Sequence, residues 1–160
     1  MDFVIRKAVP EDARDYAACH IACWRDAYTG IITDDFLDDM QAKQEEHTEQ
    51  CLQYLQESGD FKFYYAEICG KMIGRLVFGK SRDDDKPDAG EIGAIYLLAD
   101  YWGKGYGKQM MDFAISELKR TGYQEIIAWV LEENKRAEQF YNKYGFIQDG
   151  KKETSKWEKH

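Results

Sequence analysis

The first half of the chain begins with a short apolar run, and stretches in which apolar residues recur every three or four positions follow. A continuous run predicts a strand, whereas the wider spacing predicts a helix. We therefore predict a strand over residues 3–6, a helix through residues 16–27, and a helical region from residue 34 to about residue 57. Thr33 precedes that region and is its predicted N-cap.

The second half is richer in strand patterns. Apolar runs over residues 61–67 and 71–78, joined by Cys69 and Gly70, predict a hairpin. Further strands are predicted over residues 92–98 and 125–131, each followed by a helix, and a short last strand over residues 155–159. Gly93 inside a strand predicts a bulge or a close backbone approach. The element order predicts one α/β or α+β domain, residues 1–160, with a mixed sheet.

Composition narrows the class of protein. The 160 residues are 44% hydrophobic with a formal net charge of −8. An acidic chain is a poor nucleic-acid binder, so we expect no nucleic-acid partner. No apolar run is long enough to span a membrane and no signal peptide is recognisable, so we expect a cytoplasmic protein with no membrane partner.

The segment of residues 91–118 reads as a strand, a glycine-rich turn and an amphipathic helix. Glycine at positions 103, 105 and 107 lets successive amides converge on one point, and the helix start adds its own unpaired amides. Lys104 and Lys108 add positive charge. The pattern predicts a phosphate or pyrophosphate ligand, and the alternative is a plain connecting turn, which would need only one or two glycines.

Other motifs fit less well. The turn, GKGYGKQ, lacks the Gly-Lys-Ser/Thr of a Walker loop, and Lys108 stands where a dinucleotide fingerprint needs glycine. Cys19 and Cys23 share a helix face, as do His47 and Cys51, but neither pair has the context of a metal site. We predict no metal.

Two motifs together resemble the GNAT superfamily of acetyl-CoA-dependent N-acetyltransferases. The first is WGKGYG at residues 102–107, and the second comprises Asn134, Ala137, Phe140, Tyr141, Gly145 and Phe146. The match covers nearly the whole chain. One departure is Trp102, which stands where the family has Gln or Arg, and we expect Lys104 and Lys108 to compensate for the lost polar side chain.

The resemblance implies a mostly antiparallel central sheet flanked by helices, with two strands splayed apart to admit acetyl-CoA. The turn amides would hold the pyrophosphate, and strand backbone groups would bind the pantetheine arm. The residues implied to bind acetyl-CoA are Ile95, Tyr96, Leu97, Gly103, Lys104, Gly105, Tyr106, Gly107, Lys108 and Asn134. From the sequence alone, Asn134 is also a helix N-cap.

Acetyl transfer to an amine needs a base, an oxyanion donor and a proton for the leaving thiolate. By resemblance, Glu91 is the candidate base and Tyr141 the candidate general acid. The alternatives are a solvated strand-start glutamate and an aromatic core residue. An N–H of the splayed strand would face the thioester oxygen.

The acceptor is expected to be an amine of a small molecule, a peptide or a protein. The resemblance implies that the first two helices build its site, with Trp24 and Tyr28 as candidate contacts. A non-catalytic acyl-CoA-binding module and a nucleotide-binding protein of another class are the alternatives. If the last strand is short or absent, the sheet edge is open to a partner chain, so a homodimer is also expected as a state to test.

Overall fold

The computed structural model describes residues 2–57 and 59–148. The strands are β1 Phe3–Lys7, β2 Phe61–Ile68, β3 Lys71–Lys80, β4 Gly90–Leu97 and β5 Ile126–Ala128. The helices are α1 Ala13–Tyr28, α2 Asp34–Ala42, α3 Gln44–Gln56, α4 Tyr106–Arg120 and α5 Lys135–Tyr144. The predicted strand over residues 155–159 lies outside the described residues.

The five described strands form one sheet in the order β1-β2-β3-β4-β5. The first four are antiparallel to their neighbours, and β5 runs parallel to β4. The predicted hairpin is confirmed, with Cys69 and Gly70 at φ of 51° and 78° between β2 and β3. The mixed, mostly antiparallel sheet flanked by helices is the predicted fold class.

Two predicted elements differ from the structure, one by a break and the other in length. The helical region after Thr33 is divided into α2 and α3 at Lys43, where φ and ψ are −100° and 26°. The strand predicted over residues 125–131 is three residues long, because its pairing with β4 ends at Ala128. Apolar character alone therefore overstated the length of the strand and did not predict the break in the helical region at Lys43.

The two faces of the sheet carry different helices. Helix α4 packs its buried side chains on one face, against buried strand residues; that core comprises Ala66, Ile68, Ile73, Leu76, Phe78, Ile92, Met110, Met111, Ala114 and Leu118. Helix α1 covers the other face. A second apolar cluster joins α1, α2 and the segment after β5 through Ile21, Tyr28, Ile32, Leu37, Met40 and Leu131.

A bulge in β4 confirms the prediction at Gly93. Val77 pairs with Ala94, but its neighbour Phe78 pairs with Ile92, so Gly93 is an extra residue. Side chains alternate between faces along a strand, and an extra residue reverses that alternation. Glu91 faces Gly79 and Tyr96 faces Arg75, so both β4 side chains lie on the α1 face of the sheet.

Strands β4 and β5 separate after a short pairing. Their register runs from Gly90 opposite Ile126 to Ile92 opposite Ala128, and it ends there. The rest of β4 stays paired with β3 up to Leu97. One side of this half of β4 is therefore open toward α5.

Among the described residues, no helix is long and apolar enough to cross a membrane.

Candidate functional site

The glycine turn has the backbone conformation that its sequence predicts. Gly103 and Gly105 have φ of 73° and 87°, values that L side chains rarely adopt. Among the described residues, no atom beyond the immediate chain neighbours lies within 4 Å of a Cβ built on either glycine, so this side of the turn is open. Gly105 is the N-cap of α4, and it lacks a side chain that would cap the helix amides. These amides remain available to an anion.

Three elements meet at Gly107. A Cβ built there would lie 3.2 Å from Cε1 of Phe140 in α5 and 3.9 Å from Cδ1 of Leu97 in β4. The turn therefore sits against both the end of the splayed strand and the middle of α5. Leu97 and Gly107, two of the predicted cofactor residues, therefore lie together at this junction.

The open side of β4 carries backbone groups. The N–H of Leu98 donates to the carbonyl of Ile73 in β3, at 2.9 Å. Because backbone groups alternate in direction along a strand, those of Leu97 and Ile95 point away from β3, toward the gap. The carbonyl of Leu97 accepts a hydrogen bond from Nε1 of Trp102, at 2.8 Å.

The side chain of Arg136 stacks on the ring of Trp102. The guanidinium carbon of Arg136 lies 3.5 Å from the centre of the indole ring, the separation of a stacked contact. Lys108, by contrast, pairs with Asp112 on its own helix at 3.0 Å. The nitrogen of Lys104 lies 6.0 Å from the ring centre of Tyr101. The sequence interpretation missed Arg136, although it follows the motif asparagine by two residues.

The candidate acceptor residues form an aromatic group with the splayed strand. The hydroxyls of Tyr28 and Tyr96 are 2.8 Å apart, and the ring of Trp24 lies 4.8 Å from that of Tyr28 and 6.4 Å from that of Tyr96. Burial raises the pKa of Tyr28, although its side-chain hydrogen bonds with Tyr96 and Asn134 oppose the rise. The pKa of Tyr96 is also raised, first by burial and then by Tyr28. Both phenols are neutral donors and acceptors at ordinary pH.

Tyr141 lies beside this group. Its hydroxyl is close enough to Tyr28 and Tyr96 to raise the pKa of Tyr96, and burial raises its own pKa. Its ring packs edge-on against Phe146, at 5.3 Å. Asn134 is the N-cap of α5, as predicted, with Oδ1 accepting from the N–H of Ala137 at 3.1 Å. The fold therefore gathers Tyr28, Tyr96, Asn134 and Tyr141.

Glu91 lies on the same face of the sheet as Tyr96, but apart from the group of tyrosines. Its carboxylate accepts the Arg82 backbone N–H at 2.8 Å and the Arg82 guanidinium at 2.6 Å, and the side chain is only 2% exposed. No hydrogen bond within residues 2–57 and 59–148 joins it to the tyrosines. Glu91 is therefore buried and ionically paired, unlike the solvated strand-start residue that the sequence left as the alternative.

A buried arginine, Arg75, lies in β3 opposite Tyr96 on the α1 face of the sheet. The sequence interpretation missed it. Arg75 in β3 is 7% exposed; it donates to Nδ1 of His20, and its guanidinium carbon lies 4.3 Å from the ring centre of Tyr16. Burial and the charge of Arg75 lower the pKa of His20 well below its usual range. A lone arginine inside an apolar strand was the available signal.

Cys19 and Cys23 are buried with sulfurs 3.9 Å apart, and over the described part of the chain no three His, Cys, Asp or Glu side chains are grouped to hold a metal ion.

Comparison with known proteins agrees with this geometry. The profile of the acetyltransferase (GNAT) family matches residues 23–146. A probable N-acetyltransferase of Mycobacterium tuberculosis is 32% identical over 152 residues, which are 95% of this chain and 84% of that protein. The chain therefore belongs to the GNAT family, whose members are N-acetyltransferases that use acetyl-CoA.

Solved structures share the fold. The PaiA N-acetyltransferase of Thermoplasma acidophilum, crystallised with coenzyme A, has a TM-score of 0.76 at 24% identity, covering 94% of each chain. The ribosomal-protein-alanine N-acetyltransferase of Brucella melitensis has a TM-score of 0.70 at 14% identity, covering 97% of this chain and 99% of that one. At these identities the likeness establishes the fold alone.

Proposed function

We propose that this protein transfers the acetyl group of acetyl-CoA directly to a primary amine of a small molecule, a peptide or a protein. The observation that carries the proposal is the separation of β4 from β5 beside the glycine turn. The open half of β4 carries Tyr96, whose hydroxyl lies 2.8 Å from that of Tyr28 in α1. The open turn fits a pyrophosphate, and the exposed edge of β4 fits the pantetheine arm. An amine approaching from α1 would meet the thioester there.

In the proposed reaction the neutral amine nitrogen attacks the thioester carbonyl carbon. A C–N bond forms, the C–S bond breaks, and the sulfur leaves as a thiolate. The backbone N–H of Leu97 or Ile95, which points into the gap, supports the oxyanion. Tyr141 donates a hydrogen bond or a proton to the thiolate. Between an ordinary phenol, with a pKa near ~10, and a thiol near ~8.5, full transfer is uphill by roughly 2 kcal/mol, and the raised pKa of Tyr141 makes it more unfavourable, which favours the hydrogen bond.

Glu91 is the proposed base that removes a proton from the amine, through water. Its pairing with the Arg82 guanidinium at 2.6 Å holds the carboxylate oxygens in a fixed position. The same pairing makes Glu91 less free to move. A water chain along the α1 face of β4 is needed because Glu91 has no direct hydrogen bond to the described tyrosines.

Trp24 and Tyr28 are the proposed acceptor contacts. Their rings form the wall of the α1 side, and apolar residues of α2 lie behind them. A cation–π contact with an incoming ammonium would orient it before deprotonation. Assembly as a homodimer and location in the cytoplasm stay predictions from the sequence.

The test combines binding with turnover. Acetyl-CoA at a hundredfold excess over its dissociation constant should stabilise the fold by roughly 2.7 kcal/mol and raise its melting temperature by about 5–10 °C. ATP and NAD serve as controls, and a shift with either one alone would favour a nucleotide-binding protein. Thiol release is then measured with polyamine, aminoglycoside, amino-acid and peptide amines.

A non-catalytic acyl-CoA-binding module is the second candidate, favoured by the burial of Glu91 against Arg82. The two candidates agree on cofactor binding and differ in turnover. A melting shift with acetyl-CoA but no thiol release above the hydrolysis rate, with any amine of the panel, would support the binding module.

A further inference from the structure

Trp102 occupies the motif position where the family has Gln or Arg, and both its edge and its face are engaged. The indole N–H donates to the carbonyl of Leu97 at 2.8 Å, which fixes the ring against the end of the splayed strand. The ring face carries the guanidinium of Arg136 at 3.5 Å. Trp102 therefore links β4, the glycine turn and α5.

Arg136 is suited to bind an anion. It is the second residue of α5 and remains exposed. Within residues 2–57 and 59–148, no carboxylate lies within 4.0 Å of its side-chain nitrogens. A guanidinium stacked on an aromatic face keeps its N–H donors in a rim that matches phosphate oxygens bidentately.

The neighbouring lysines are differently engaged. Lys108 pairs with Asp112 at 3.0 Å, and Lys135 pairs with Glu138 at 3.6 Å. Phe140, one helical turn after Arg136, sits against Gly107 in the turn. This contact brings the start of α5, and Arg136 with it, to the glycine turn where a phosphate is expected.

We propose that Arg136, held on the face of Trp102, is a phosphate-binding cation of the coenzyme A site beside the glycine turn. The proposal rests on the proposed function. Its ligand is a phosphate group of coenzyme A, from either the pyrophosphate or the ribose 3′-phosphate.

The test is isothermal titration of coenzyme A and of dephospho-coenzyme A, which lacks the 3′-phosphate, into the wild-type protein and four variants. Arg136→Ala should weaken coenzyme A binding by about 10-fold to 100-fold, the loss expected for charge-assisted hydrogen bonds. Lys135→Ala, which removes an adjacent charge, should bind like the wild type. Trp102→Leu should weaken binding, and Arg136→Ala in that background should add little, because the two residues act together.

Comparing coenzyme A with dephospho-coenzyme A shows which phosphate group Arg136 binds. If Arg136 binds the 3′-phosphate, Arg136→Ala loses the preference for coenzyme A over its dephospho form. If it binds the pyrophosphate, the variant weakens for both ligands equally. Unfolding midpoints in urea check that each variant is folded.

Two results would overturn the proposal, and they differ. Wild-type affinity in folded Arg136→Ala would remove Arg136 from the site while leaving the proposed function intact. Absence of coenzyme A binding by the wild-type protein would overturn the proposed function, and this proposal with it.

Discussion

The hydroxyl groups of Tyr28 and Tyr96 lie 2.8 Å apart and join the end of α1 to the open half of β4. Sixty-eight residues separate the two along the chain. Tyr96 faces α1 only because of the register of β4, and Tyr28 is held by the apolar cluster of α1 and α2. The bond therefore ties the proposed acceptor wall to the proposed thioester site.

Removing either hydroxyl should destabilise the fold. Tyr28→Phe or Tyr96→Phe leaves the other phenol buried without this partner, at a cost of about 1–3 kcal/mol. The double variant should lose less than the sum of the two, because neither hydroxyl is then left unpaired. Urea denaturation measures all three, with Tyr54→Phe, 53% exposed, as the control. Strict additivity would mean that the two hydroxyls do not interact.

Tyr141→Phe should reduce kcat by about 10²-fold to 10⁴-fold, the usual range for loss of a positioned acid. Acetyl-CoA affinity should stay near that of the wild type. Burial raises the pKa of Tyr141, so the phenol stays protonated throughout ordinary pH and should set no alkaline limb there. The measurement is steady-state kinetics from pH 6 to 9, with ligand titration.

Tyr144→Phe is the control on the same helix, because its hydroxyl donates to Asp112 instead. Unchanged kcat in Tyr141→Phe would remove Tyr141 from the mechanism.

Glu91→Gln should lower kcat by about 10²-fold or more, since an amide cannot accept the proton. Arg82→Gln separates structure from chemistry. It removes the guanidinium but keeps the backbone N–H that also binds Glu91. If Glu91 is only structural, both variants lose stability, measured in urea, and neither loses kcat at saturating substrate.

Stability should fall as the pH drops below about 6.5, the ordinary pKa of histidine. The pKa of His20 is lowered in the folded chain by burial and by Arg75, so on acidification the unfolded chain binds a proton that the folded chain does not bind. This contribution is present above the unfolded pKa and lost toward the folded one, with a slope approaching about 1.4 kcal/mol per pH unit.

His20→Gln should flatten the stability curve between about pH 6.5 and 5, measured by urea unfolding. Arg75 and His47 act on the His20 pKa in the same direction, from β3 and α3. An unchanged slope in the variant would assign the acid sensitivity to other groups.

Local features of the fold were predictable from the sequence. Thr33 and Asn134 cap α2 and α5, because capping depends on residues three positions away. The open turn at Gly103 and Gly105 and the bulge at Gly93 follow from glycine itself. These features need no knowledge of distant parts of the chain.

Contacts between distant segments were not predictable in the same way. Arg75 and His20 are 55 residues apart, and no local pattern pairs them. The stack of Arg136 on Trp102 also depends on how α5 meets the glycine turn. The sequence marked Trp102 as a loss of polarity, whereas the fold uses its flat face to hold a charge.

The extra residue at Gly93 acts as a change of phase within β4. It leaves Glu91 and Tyr96 on one face although five positions separate them, an odd interval that would otherwise send them to opposite faces. Deleting Gly93 while keeping the pairing of residues 94–97 would make that interval four, an even number, so a ladder without a bulge would still hold Glu91 opposite Gly79 on the same face. A single-residue deletion would therefore remove the local bend and extra twist of the bulge while leaving the proposed base and the proposed acceptor side on one face.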